Sequence, residues 1–269
     1  PSAAPAPAVV APHRWQALAA LVVSLLVVVL DNTVLNVALK TIQQDLGATQ
    51  SQLIWAINSY SLVFAALLFT WGVLGDRYGR RKVLIIGLVL FAAASLLSAF
   101  AISPEQLIVA RALMGIGGAS VLTVTLSIIT VIFPPEERGR AIGIWAAAVG
   151  GAVALGPLLG GFLLEHFWWG SVFLINVPIV AVGIVGILRN VPESRNPHPG
   201  KLDPVGLVLS VIGLLALVYG IQEAGWSESS TYAWIGLGAA VLVAFLVWES
   251  RTANPSMDLS LFRIRSFSV

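Results

Sequence analysis

The sequence predicts an all-α integral membrane protein, a six-helix bundle followed by two further membrane-spanning helices, and three observations carry that prediction. Hydrophobic residues make up 58% of the chain and charged ones only 10%, with a mean hydropathy of +0.91. A soluble domain of 269 residues is far less apolar. Eight runs are long enough to cross a bilayer as helices, which takes ~20 apolar residues. The basic residues sort to one side of those runs.

The first twelve residues, rich in Pro and Ala, are read with His13 and Arg14 as a disordered tail, and the absence of an initiator Met suggests a trimmed start. The first apolar run, 15–39, is too long for a cleavable signal and contains Asp31. Spans two and three, 53–75 and 83–102, flank the polar loop Gly72-Val73-Leu74-Gly75-Asp76-Arg77-Tyr78-Gly79-Arg80-Arg81-Lys82-Val83-Leu84. Spans four, five and six follow at 107–132, 140–164 and 169–188, closing a bundle over 15–188. A Pro-rich, charged linker, 189–204, precedes two more spans at 205–224 and 232–249, a unit over 205–249. The stretch 250–269 turns apolar again at Ser266-Phe267-Ser268-Val269, read as the start of a cut-off ninth span. Each run is continuous rather than alternating, which excludes a transmembrane barrel.

Orientation follows from the bases. Thirteen of the fifteen Lys and Arg residues fall in loops on one side, Lys40 stands alone on the other, and Arg111 lies inside a span. The positive side is cytoplasmic, so the amino terminus and residues 250–265 are placed in the cytoplasm of a plasma or inner membrane. Trp15, Trp55, Trp168, Trp169, Trp226 and Trp248 at run ends fit interfacial anchoring.

The polar loop resembles the cytoplasmic signature between spans two and three of the major facilitator superfamily, through Gly72, Leu74, Asp76, Arg77, Gly79 and Arg80. Leu30 to Leu39 (LDNTVLNVAL) resembles the first-span motif of the drug:proton antiporters with fourteen spans. Leu107 to Ala119, centred on Arg111 and Gly115, is similar to the fourth-span motif, and Gly143 to Gly161 to the antiporter motif of the fifth span. Met114, Ala152 and Lys40 depart from those patterns. The resemblance implies six-span halves built from inverted three-plus-three repeats, with two extra spans between the halves. This chain would then be the N-terminal part of such a transporter, and its partner would be the C-terminal half.

Asp31 is the candidate for proton coupling. An acid in hydrocarbon is costly and marks an ion or proton pathway, and burial penalises its charged form so that it can load and release a proton. It lies four residues, ~6 Å, from the midpoint of the first run. The alternative is a polar residue that fixes helix packing. Arg111, at similar depth in span four, is its candidate partner, the alternative being an Arg that snorkels to the headgroups. Gly72, Asp76, Arg77, Gly79 and Arg80 are candidate gating residues, with Asp76 and Arg80 as an ion-pair latch. Gly156, Pro157, Gly160 and Gly161 allow close approach and a bend in span five. Asn32, Asn36, Asn58, Tyr60 and Trp145 are candidate cavity residues for an amphipathic substrate. Lys40 and Asp45 are read as an outer loop with a short surface helix, and Glu165, Glu223, His13, His166 and His198 as surface groups.

With no His-Glu-x-x-His motif, no phosphate loop and no G-x-S-x-G elbow, no catalytic residue is expected, and the lack of cysteine removes thiolate metal sites. No cofactor, metal or nucleic-acid partner is expected; the expected partners are the bilayer, protons and a small amphipathic molecule. Uphill transport would then draw on an ion gradient, and the sequence points to a proton-coupled exporter of drugs or other hydrophobic compounds working by alternating access. Lipid or metabolite export on the same scaffold, or a non-transporting scaffold or sensor, are the other readings.

Overall fold

In the computed structural model, residues 13–197, 202–222 and 229–252 are described, and they are ordered by nine α-helices with no strand among them. The helices are α1 (Arg14–Leu46), α2 (Gln50–Tyr78), α3 (Arg80–Ala99), α4 (Pro104–Ile132), α5 (Pro135–His166), α6 (Ser171–Leu174), α7 (Asn176–Asn190), α8 (Pro204–Gln222) and α9 (Ser229–Arg251). Counting α6 and α7 as one, eight are long and apolar enough to cross a membrane. The tail at 1–12, His198 and Lys201 of the linker, Glu223, Trp226, Arg263, Arg265 and the proposed ninth span lie outside the described residues.

Local sequence sets the helix ends. Gly47 stops α1 in the left-handed region, at φ 64°, with its N–H on the Gln43 carbonyl. The Thr49 side chain and Gln52 form a reciprocal capping box at the start of α2. Ser103 caps α4 by accepting from the Gln106 N–H, with Pro104 at the first helical position. α1 therefore runs seven residues past the predicted end of the first span, and Lys40 and Asp45 belong to it rather than to a separate surface helix. The sixth span is divided at Ile175, which stays right-handed at φ −60°, ψ −25°. Pro178 has no N–H to offer the Leu174 carbonyl, so the hydrogen-bond ladder weakens there.

α1 packs on α5 and α7, while α4 packs on α2 and α3. α1 and α4 thus hold equivalent positions, the pairing expected of two three-helix repeats. Close approaches of backbone to backbone run through α4: a Cβ on Gly117 would stand 2.5 Å from the Gly87 carbonyl oxygen, and one on Gly115 2.6 Å from the Tyr60 carbonyl oxygen. Small residues are what let these backbones meet without a hydrophobic driving force between helices. α8 and α9 pair with each other and touch the bundle through α2, where Trp55 stacks near Tyr219 and Phe69 meets Phe245 edge-on at 5.8 Å. Asp203 caps α8 by accepting from the Gly206 N–H and also accepts from the Trp248 indole at 2.8 Å. At the end carrying most of the bases, outside the predicted apolar runs, Arg14 donates to Glu137 through two nitrogens at 2.7 and 2.9 Å. These bonds hold the Glu137 carboxyl below its ordinary range.

Most tryptophans described sit partly exposed near helix ends, but Trp169 is buried, its ring edge-on to Phe173. It packs the bundle instead of anchoring an interface.

Candidate functional site

Asp31 and Arg111, 80 residues apart in sequence, meet in the interior. Asp31 is 2% exposed and Arg111 fully buried, and Arg111 Nη1 donates to Asp31 Oδ2 in a short ion pair. The arginine does not snorkel. Its Nε donates to the Ala56 carbonyl at 3.3 Å and Nη2 to Asn32 Oδ1 at 3.3 Å, while Nη1 also faces the Met114 sulfur at 3.7 Å. The Tyr60 ring covers the guanidinium at 4.4 Å and Phe173 lies at 5.9 Å, so aromatic faces replace water around the cation. A carboxylate so deep is tolerable only because it is paired and hydrogen-bonded.

The other carboxylate oxygen meets a residue that the sequence reading passed over. Asn176, 1% exposed and first in α7, donates its side-chain N–H to Asp31 Oδ1 at 2.8 Å and a second to Ser95 Oγ at 2.9 Å. Ser95 in turn donates to the Phe173 carbonyl at 2.8 Å. The signal available in the sequence was slight, a single amide in an otherwise apolar sixth span with no indication of which neighbour it faces. A cavity of about 10 Å³, room for about one water, borders Asp31 and Asn176 and is closed by Leu159 and Leu163 of α5 together with Ile175 and Ile179.

The candidate cavity residues have different neighbours. Asn32 is drawn into the ion site by Arg111, and its own amide donates to the Val28 carbonyl. Tyr60 is 3% exposed, its ring occupied by Arg111 and its hydroxyl buried with no hydrogen bond. Asn36 is exposed and bonds the Asn32 carbonyl, Asn58 is half-buried, and Trp145 donates to Thr125 Oγ1 at 3.3 Å. Of the five, Asn32 and Tyr60 meet at the Arg111 guanidinium.

In the fifth-span motif Gly156 and Gly160 face α1: a Cβ at Gly156 would fall 1.9 Å from Thr33 Oγ1, and one at Gly160 3.2 Å from Val37. Gly161 meets nothing within 4 Å, and α5 stays helical through Pro157. The tight α1–α5 contact is thus two residues from Asp31.

At the basic end, Gly79 is at once the last cap of α2 and the first of α3, with φ 110°, which favours glycine. Arg80 donates to Asp76 Oδ1 from Nε at 2.9 Å and Nη2 at 2.7 Å across this turn. Gly72 lies against Thr123 of α4, and the Arg77 guanidinium stands 5.8 Å from the Tyr78 ring. The segment after α7 docks on the same turn. Arg80 N–H donates to the Ser194 carbonyl and Asn196 N–H to the Asp76 carbonyl, each at 2.8 Å, and the Glu193 carboxylate accepts from the Arg81 N–H at 3.1 Å.

Among the described residues no group of His, Cys, Asp and Glu is arranged to hold a metal ion. The arrangement is a buried charge pair between helices α1 and α4.

Comparison with known proteins agrees with this architecture. Multidrug efflux pump LfrA of Mycolicibacterium smegmatis is 43% identical over 267 residues, covering 95% of this chain and 51% of that protein. Methyl viologen resistance protein SmvA of Salmonella typhimurium is 40% identical, covering 94% and 52%. Puromycin resistance protein pur8 of Streptomyces alboniger is 37% identical, covering 91% and 49%. The chain spans about half the length of the curated relatives it matches. Among solved structures, the peptide transporter POT in complex with sulfate shares the fold at a TM-score of 0.65 and 16% identity, over 88% of this chain and 53% of that one. The human organic anion transporter MFSD10 does so at 0.58 and 18%, over 77% and 55%. The Major Facilitator Superfamily profile matches residues 21–262, and on that match, together with the relatives and the helical bundle, the chain belongs to this family of multi-pass membrane transporters.

Proposed function

We propose that this chain is the N-terminal part of a fourteen-span drug:proton antiporter, with α1–α7 as its first six-span half and α8–α9 as the inserted pair. The observation that carries the reading is the buried Asp31–Arg111 pair. In water-free surroundings an ionised pair is held by mutual attraction and by hydrogen bonds, and protonation of the carboxylate removes the attraction while the desolvation cost of the arginine stays. A proton therefore changes the free energy of the conformer in which the pair is closed, which is what coupling to alternating access requires. The relatives' names, covering multidrug efflux, methyl viologen and puromycin resistance, support export of amphipathic and cationic compounds.

In this reading the basic end faces the cytoplasm, the C-terminal half docks against the bundle to complete the substrate path, and Asp76 with Arg80 latches one conformer there. Asn36, Asn58 and Trp145 line the path with the C-terminal half in place, and the α5 segment at Gly156 and Pro157, packed on α1, closes its outer leak. Reconstitution of the complete transporter in proteoliposomes tests the core of this. Methyl viologen added against a proton gradient is expected to produce substrate-dependent proton movement, and Asp31→Asn to abolish it. An Asp31→Asn transporter that still moved protons with substrate would end the proposal.

A further inference from the structure

Asp31 is held by two donors on opposite sides, and the preceding reading uses only one of them. Arg111 takes Oδ2, and Asn176 takes Oδ1 at 2.8 Å. An ionised carboxylate can only accept, which fixes the amide with its nitrogen toward Asp31. Ser95 holds the amide in that orientation, since it accepts the second N–H and spends its own proton on the Phe173 carbonyl. We infer that Asn176 is a positioning residue that sets the proton affinity of Asp31, with Ser95 as the support that keeps its amide aimed.

The surroundings leave few competitors for that role. From α4 the charged group facing Asp31 is Arg111, and from α2 the titratable group is Tyr60. α3 presents Ser95, α5 presents Leu159 and Leu163, α6 presents Val172, and α7 presents Asn176 and Ile179, none of them titratable. The amide is thus the one uncharged donor found on Asp31 among the described residues. The water-sized cavity lies on its side, bordered by both residues. A proton that arrives there on a hydronium, or is relayed through one water, forms an O–H bond on the Asp31 carboxylate and leaves a neutral water behind. The amide opposes that step because its N–H bonds the ionised form more strongly than the neutral one. Asn176 opens α7 immediately after the break at Ile175.

The inference rests on Asp31 being the proton carrier, so its test reads the carboxyl directly. Infrared titration of the complete transporter in lipid, with no substrate added, follows a protonated carboxyl band, and its absence in Asp31→Asn identifies it. Asn176→Leu removes the donor at similar volume and is expected to move the midpoint of that band toward alkaline pH by about one to two units, the worth of one hydrogen bond to a charged group. Ser95→Ala leaves the amide in place but unsupported, and is expected to shift the midpoint the same way by less. It also serves if the first variant does not fold. A midpoint unmoved in the folded variants overturns the role of Asn176 while leaving Asp31 as carrier. A wild-type transporter without any titrating Asp31 band overturns the carrier reading itself.

Discussion

Two Asp–Arg pairs mark this chain, and they differ in almost everything but chemistry. Asp31 and Arg111 come from helices 80 residues apart and are 2% and 0% exposed. Asp76 and Arg80 are four residues apart, and the Asp76 side chain is 49% exposed. In the interior, each charge has given up its water and depends on its partner. At the basic end, water still serves Asp76, and the pair adds little to a turn already fixed by Gly79 and by hydrogen bonds from the segment at 191–197. Identical residue types thus make a desolvated, mutually dependent pair in one place and a water-served surface clamp in the other, and burial decides which.

The largest effect should come from breaking the inner pair. Arg111→Leu leaves an uncompensated acid in the core, and such losses cost ~3–5 kcal/mol. Thermal unfolding of the purified transporter should show it, and the Asp31→Asn/Arg111→Leu double variant should recover part of the loss. If the double variant is as unstable as the single one, the pair is not the reason for the cost. At the basic end the backbone should matter more than the charges. Gly79→Ala meets both an unfavourable φ and the Glu193 carboxylate, 2.7 Å from the new Cβ, and strain of this kind costs ~1–3 kcal/mol. Smallest of all, Asp76→Asn should change stability by only ~0.2–1 kcal/mol, less in high salt, as for other exposed pairs. A stability loss from Asp76→Asn larger than that from Gly79→Ala would reverse the contrast drawn between backbone and charge.

How much of this could be read from sequence depends on the range of the interaction. The apolar runs are local, and their positions match the helices to within a few residues except at the end of α1, where the mostly polar stretch 40–46 extends the helix beyond the hydrocarbon-length run. Asp31 and Arg111 stood out because charges inside apolar runs are rare. Asn176 did not, because its meaning depends on a carboxylate 145 positions away. Tyr60 stood out as an aromatic, but not as the ring that covers Arg111, which the α2–α4 approach through Gly115 and Gly118 determines. The linker was legible as polar and Pro-rich, but not as a strand of backbone that docks on the α2–α3 turn.

That docking carries a consequence for how the chain is made. Polypeptides leave the ribosome from the amino end, and the Arg81 amide emerges 112 residues before the Glu193 carboxylate that accepts from it. Arg80 and Asp76 likewise wait for Ser194 and Asn196. During synthesis the first turn of α3 is therefore unfinished until the sixth span has been translated. The seven residues that follow that span act as a closing stitch, sewing the last helix of the bundle to its earliest basic turn.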